Sequence, residues 1–188
     1  MEVLEAIKTR RSIRKYKATP IDGKTVELVL EAARWAPSWK NTQCWRFIVV
    51  RDAKVKAELA DTLWFKSTSV HNASMEAVRE APVVIVACAE MGKAGYREEK
   101  IATDKGDYWF MFDVALAMQN LVLAANSLGL GTVYVGGFDA RKAAGILKVP
   151  QGLCVVCMTP LGYPDEEPEP KPRRELAETV FYDKYGVK

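Results

Sequence analysis

Four stretches of this chain carry residue types suited to binding chemistry. The first is RRSIR, residues 10–14. On an extended backbone Arg10, Ser12 and Arg14 point one way, while Arg11 and Ile13 point the other. Two guanidiniums and a hydroxyl on one side form a donor array for a phosphate monoester, because Arg offers bidentate, permanently charged hydrogen bonds. The same residues also suit a solvated basic patch behind a helix C-terminus, where the dipole favours cations. The second stretch is KPRRE, 171–175, holding Lys171, Arg173 and Arg174. It either neutralises the preceding DEEPE or closes a phosphate site opposite Arg10 and Arg14. The third is VGGF, from Val135 through Gly136 and Gly137 to Phe138. Paired glycines at a strand end let a ligand approach backbone N–H groups; they also serve a turn into a helix capped by Asp139. The fourth is APSWKNTQCWRF, 36–47, which sets Pro37, Ser38, Asn41 and Gln43 just ahead of an apolar strand. Amides and aromatics in that setting suit a flat object with a polar edge.

The missing groups matter equally. The chain has one histidine, His71, and no Walker motif, no H-E-x-x-H and no G-x-G-x-x-G between strand and helix. Cys154 and Cys157 form a C-x-x-C, but within the β-branched run GLCVVCMTPLGY. On a regular strand, positions three apart face opposite sides, and no second C-x-x-C completes a tetrahedral site. Cys44, Cys88, Cys154 and Cys157 are therefore expected as core thiols, with no metal. If the chain is an enzyme, a cofactor must bring the reactivity.

These residues need a frame. The 188 residues suffice for one well-buried core. A net charge of +3 singles out neither nucleic acid nor membrane as a partner. The start MEVLEAIKTRR lacks an apolar signal region, and the run VVIVACA is far too short to span a bilayer, so a cytoplasmic location is expected. Periodicity predicts a short helix over Val3–Lys8, with Val3, Leu4 and Ile7 on one face. It predicts a second helix bearing Val26, Val29, Leu30 and Ala33, ended by Pro37. WRFIVVRD reads as a strand, AKVKAELADTL as a surface helix and PVVIVACAE as a central strand apolar on both faces. Residues 107–128 are apolar almost all round, which predicts a helix buried in the core or against another subunit. GLGTVYVGGFD reads as a strand, ARKAAGIL as a helix and LCVVCMTPLGYP as the last strong strand. From Pro164, PDEEPEPKPRRE describes an extended arm that ends in aromatics. Helices first, then strands separated by helices, imply an α+β or α/β layered domain.

In their order and spacing, RRSIR, APSWKNTQCWRFIVV, LVLAANSLGLGT, VYVGGF, PLGYP and KPRRE resemble the FMN-dependent nitroreductase family over nearly the whole chain. The resemblance implies an α+β three-layer sandwich: a mixed, mostly antiparallel sheet flanked by helices, as one domain over 1–188. It implies an intertwined homodimer whose arm, 164–188, packs on the partner subunit. It implies FMN held by Arg10, Arg11, Ser12 and Arg14, with Lys171, Arg173 and Arg174 completing the phosphate site. Pro37, Ser38, Asn41 and Gln43 would meet the flavin ring, Pro37–Ser38 from the partner, and the backbone of Val135, Gly136 and Gly137 would reach toward N5. The implied activity is hydride transfer from NAD(P)H through flavin N5 to a nitroaromatic, quinone or activated alkene, by a ping-pong mechanism. A dehalogenating, flavin-fragmenting or ferredoxin-fed enzyme, or an FMN-binding protein without turnover, would share the same site. Two departures stand out: Cys44 occupies a position where the family often has Pro, and the loop 72–80 has no lysine near the flavin.

Overall fold

The computed structural model of the protein describes residues 1–63 and 72–187. His71 lies outside the described residues. In chain order the elements are α1 (Val3–Thr9), α2 (Gly23–Arg34), β1 (Trp45–Val50), α3 (Ala53–Ala60), α4 (Ala73–Glu80) and β2 (Val83–Glu90). There follow β3 (Tyr96–Arg97), β4 (Lys100–Ile101), α5 (Trp109–Ser127), β5 (Gly131–Thr132), α6 (Ala140–Ile146), β6 (Leu153–Gly162) and α7 (Leu176–Thr179). The main sheet is antiparallel, in the order β1-β2-β6-β5.

β2 is buried on both faces, as its unbroken apolar run requires. Val84, Val86 and Cys88 face one core with Leu59, Ala77, Val78 and Ala143 of α3, α4 and α6. Val83, Ile85, Ala87 and Ala89 face the other, with Val26, Val29 and Ala33 of α2 and Val114, Met118 and Leu121 of α5. Helices therefore cover both faces of the sheet, giving an α+β arrangement. Asp22 caps α2 by accepting the Thr25 N–H at 2.9 Å, and Asp139 caps α6 by accepting from Arg141 and Lys142.

Several expectations need correction. Residues 129–139 do not form one strand: β5 has two residues, and the chain then makes only isolated bridges, Val135 to Met158 and Phe138 to Leu63. Cys154 and Cys157 do not face opposite sides. The register slips between Ala87 and Cys88, pairing Ala87 with Cys157 and Cys88 with Val155. Val156 is the extra residue of this bulge, so both thiols pack against the α2–α5 core. Residues 73–80 are a helix rather than a loop, burying Met75, Ala77 and Val78, and the Asn72 side chain caps it by accepting the Ser74 N–H.

Helix α5 is not buried all round within one chain. The span Gly106–Ser127 is long and apolar enough to cross a membrane, but one face lines the core beneath the sheet. The other face exposes Met111 and Phe112, beside Tyr108 at 76%. On α1, likewise, Ala6 is buried while Val3, Leu4 and Ile7 are exposed.

Candidate functional site

The RRSIR segment is pinned by two side chains that enter glycine gaps. Ser12 bridges Thr132 in parallel, and the Ile13 N–H donates to the Thr132 carbonyl at 2.9 Å. A Cβ on Gly131 would meet Ile13 at 2.8 Å, and one on Gly162 would meet Tyr16 at 2.7 Å. Gly131 and Gly162 are themselves cross-strand partners. The sheet edge thus carries paired slots for Ile13 and Tyr16, whose hydroxyl donates to the Ile13 carbonyl at 2.6 Å. Burial and the neighbouring Glu166 charge hold the Tyr16 phenol far above its ordinary pKa, so it remains a donor. With Ile13 locked inward, Ser12 and Arg14 must face outward.

Arg11 does not follow Ile13 inward as alternation suggests. Its guanidinium folds back onto the carbonyls of Lys8 and Arg10, at 2.8 and 3.0 Å, at the C-terminal end of α1. That is the helix-end role open to the segment from its sequence. The same residue nonetheless borders the cavity described next.

The arm returns along this segment. The Lys17 N–H donates to the Tyr163 carbonyl and the Asp165 N–H to the Lys15 carbonyl, each at 2.9 Å. The ladder leads the prolines into a cavity of about 540 Å3. Arg10, Arg11, Ser12 and Arg14 line one side of it, and Lys171 and Arg173 the other. Lys8 is a further cation there, and Glu169 is its one acid among the described residues. Six cations against one carboxylate give the cavity a basic lining, to which Ser12 adds a neutral donor. Arg174 is exposed and does not border the cavity.

The loop after α2 is held separately. Lys40, Asn41 and Gln43 all have positive φ, 44°, 56° and 46°, a region costly for residues with a Cβ. The Gln43 N–H donates to Ser38 Oγ at 2.9 Å, and Gln43 Nε2 to Asn41 Oδ1 at 3.2 Å. The Trp39 N–H donates to the carboxylate of Asp113 in α5. Burial raises the Asp113 pKa above its ordinary value. Cys44 points inward, its Sγ 3.8 Å from Asp113, and burial with that nearby carboxylate pushes the thiol up to about 12. At this position, then, the side chain faces the carboxylate and not the outer face of the loop. Within one chain this loop and the basic cavity share no lining residue.

Val135 commits its N–H and carbonyl to Met158, at 2.9 and 3.0 Å, and its side chain is buried. The backbone left to a ligand belongs to Gly136 and Gly137, which are exposed. Neither has positive φ, and a Cβ on either would meet nothing within 4 Å. Packing within the chain therefore gives no reason for glycine at either position. Tyr134, just before them, is pushed up to about 12 by burial and a nearby thiol, and the Arg10 charge opposes the shift. The two glycines follow β5 in the chain, whose Thr132 pairs with Ser12 of RRSIR. Sequence reasoning missed Asp113, whose signal is a lone acid in the apolar run WFMFDVALAM. It also missed the glycine slots, which have no local signature.

The nitroreductase family model matches residues 7–163. A provisionally named NADH dehydrogenase/NAD(P)H nitroreductase of Methanothermobacter thermautotrophicus is 36% identical over 172 residues, covering 89% of this chain and 80% of that one. A crystal structure of a nitroreductase family protein from Clostridium novyi NT superposes with a TM-score of 0.77 at 35% identity, over 100% of this chain and 96% of the other. The NADPH:FMN oxidoreductase of Vibrio harveyi, solved with NAD+, gives 0.81 at 29% identity, over 97% and 77%. Taken with the antiparallel sheet and its two helical layers, these matches mean that the chain belongs to the nitroreductase family of oxidoreductases.

Proposed function

We propose that the protein is an FMN enzyme that passes hydride from NADH or NADPH to a nitroaromatic, quinone or activated alkene, in two half-reactions. The observation that carries this reading is the basic cavity, where two distant segments converge on a space suited to a phosphate monoester. FMN, when bound, supplies the hydride chemistry at N5. Arg10, Arg14, Lys171 and Arg173 hold the phosphate, with Ser12 as a neutral donor; Arg11 closes the rim while capping α1. Gly136 and Gly137 offer exposed, open backbone to the ring. Ser38, Asn41 and Gln43 present hydroxyl and amide edges on a strained, braced loop, as a flavin rim requires.

The loop lines no part of the basic cavity within one chain, which favours a homodimer in which Pro37 and Ser38 serve the partner's flavin. The exposed apolar residues of α1 and α5 support the same assembly, as does the tail, where Leu176 and Tyr182 stand exposed and Tyr185 is 92% exposed. In this reading the end of the arm, from Leu176 on, packs on the partner subunit, while residues 165–173 lie against the Arg10–Lys15 segment of their own chain. Steady-state rates with NAD(P)H and a nitroarene, a quinone and an alkene test the proposal. Parallel double-reciprocal lines are expected; intersecting lines would exclude two separate half-reactions.

A further inference from the structure

The basic cavity contains an anomaly. A site built for an anion has acids beside it, and one of them is tied into the backbone that forms its wall. Glu166 Oε1 accepts the N–H of Arg14 at 2.5 Å and that of Lys15 at 3.2 Å. The contact spans more than 150 residues of sequence and caps the short ladder in which Tyr16 bridges Pro164. Glu166 also borders the neighbouring space that Arg10 and Arg11 line. On charge alone such a carboxylate opposes anion binding. Its geometry serves another purpose. Two consecutive N–H groups converging on one oxygen make a fixed, charge-assisted joint. The chain beyond it holds Pro168, Pro170 and Pro172, which keep the backbone extended and stiff. A joint at Glu166 therefore sets where Lys171 and Arg173 arrive.

We propose that Glu166 is a positioning residue, a latch that fastens the arm to the Arg14–Lys15 backbone and so holds Lys171 and Arg173 opposite Arg10 and Arg14. The inference rests on the FMN reading of that cavity. It gives a sign opposite to electrostatics. Removing the acceptor loosens the far wall and weakens binding, although removing the negative charge on its own would strengthen it.

Two variants separate the effects, because both remove the charge and only one removes the acceptor. FMN and riboflavin dissociation constants are measured by flavin fluorescence for wild type, Glu166→Ala and Glu166→Gln, with near-UV circular dichroism as the check on folding. Riboflavin lacks the phosphate, so it reports the rest of the site. Glu166→Ala is expected to weaken FMN at least 10-fold and riboflavin less than 2-fold. Glu166→Gln, which keeps an oxygen within reach of both N–H groups, is expected to bind FMN within 3-fold of wild type or tighter. FMN binding by Glu166→Ala that is unchanged or tighter overturns the latch, and so does an equal loss for both flavins. Wild type that fails to prefer FMN over riboflavin overturns the phosphate reading itself, an outcome distinct from failure of the latch.

Discussion

Both carboxylate oxygens of Asp113, buried within the apolar helix α5, lie within hydrogen-bond reach of the Trp39 N–H, at 3.0 and 3.1 Å. This contact joins the core to the loop carrying Ser38, Asn41 and Gln43, and it braces a turn with three left-handed residues. A buried acid costs desolvation, so its retention needs partners. Here they are the Trp39 N–H and the Cys44 thiol.

Asp113→Ala should therefore destabilise the fold by about 1–3 kcal/mol, by leaving the part-buried Trp39 N–H unpaired. Asp113→Asn keeps an acceptor and should cost less. The ordinary aspartate pKa is 3.8, and burial raises that of Asp113. The folded state thus retains the proton to higher pH than the unfolded state. The stability this confers is complete below the ordinary value and is lost as pH rises through the raised one. Urea unfolding from pH 4 to 8 should show wild type losing stability relative to Asp113→Asn as pH rises. A difference that stays constant with pH would contradict this.

Glycines that share a residue type differ in what they do. Gly131→Ala and Gly162→Ala each force a side chain into Ile13 or Tyr16, and each should destabilise by about 1–3 kcal/mol. Gly137→Ala meets nothing in the chain, and its melting temperature should match wild type while flavin reduction slows. Thermal melts and stopped-flow traces on the three variants check the contrast.

Arg10→Ala with Arg14→Ala removes two charged donors from the cavity wall, each worth about 1.5–3 kcal/mol. FMN should bind ~100-fold more weakly or worse. Arg174→Ala, outside the cavity, should stay within about 3-fold of wild type if one charge-assisted contact is the smallest effect counted. Fluorescence titration of both proteins checks this, and full FMN occupancy in the double variant would refute the phosphate assignment.

Cys44 and Cys88 are fully buried, and burial pushes their thiols up to about 12 and about 11. Neither is a thiolate at pH 8. A thiol-disulfide reagent should leave both unlabelled in the native protein and label both after denaturant is added, as read by peptide mass.

The elements whose signal is local were legible in the sequence. β2 and β6 follow from unbroken apolar runs, α2 from its Val26–Val29–Ala33 stripe, and Asp139 from the capping pattern ahead of α6. The convergence of Arg10, Ser12 and Arg14 with Lys171 and Arg173 on one cavity was among the alternatives that charge and order left open. Features set by distant contacts were not legible. The bulge at Val156 depends on the register against β2, so alternation placed Cys154 and Cys157 on opposite faces when they share one. Arg11 is turned by the carbonyls at the end of α1, which outweigh strand alternation. The role of Glu166 depends on the arm lying along Arg14–Lys17, and nothing in DEEPEP by itself gives that.

Anaerobic titration of FMN-loaded protein with NADPH and then NADH, followed by visible absorbance, decides whether the protein is an NAD(P)H-reducible flavoenzyme. Stoichiometric FMN uptake and prompt bleaching of the yellow colour by at least one of the two nucleotides are expected. Protein that takes up no FMN, or that takes it up and stays yellow with both, would contradict this reading.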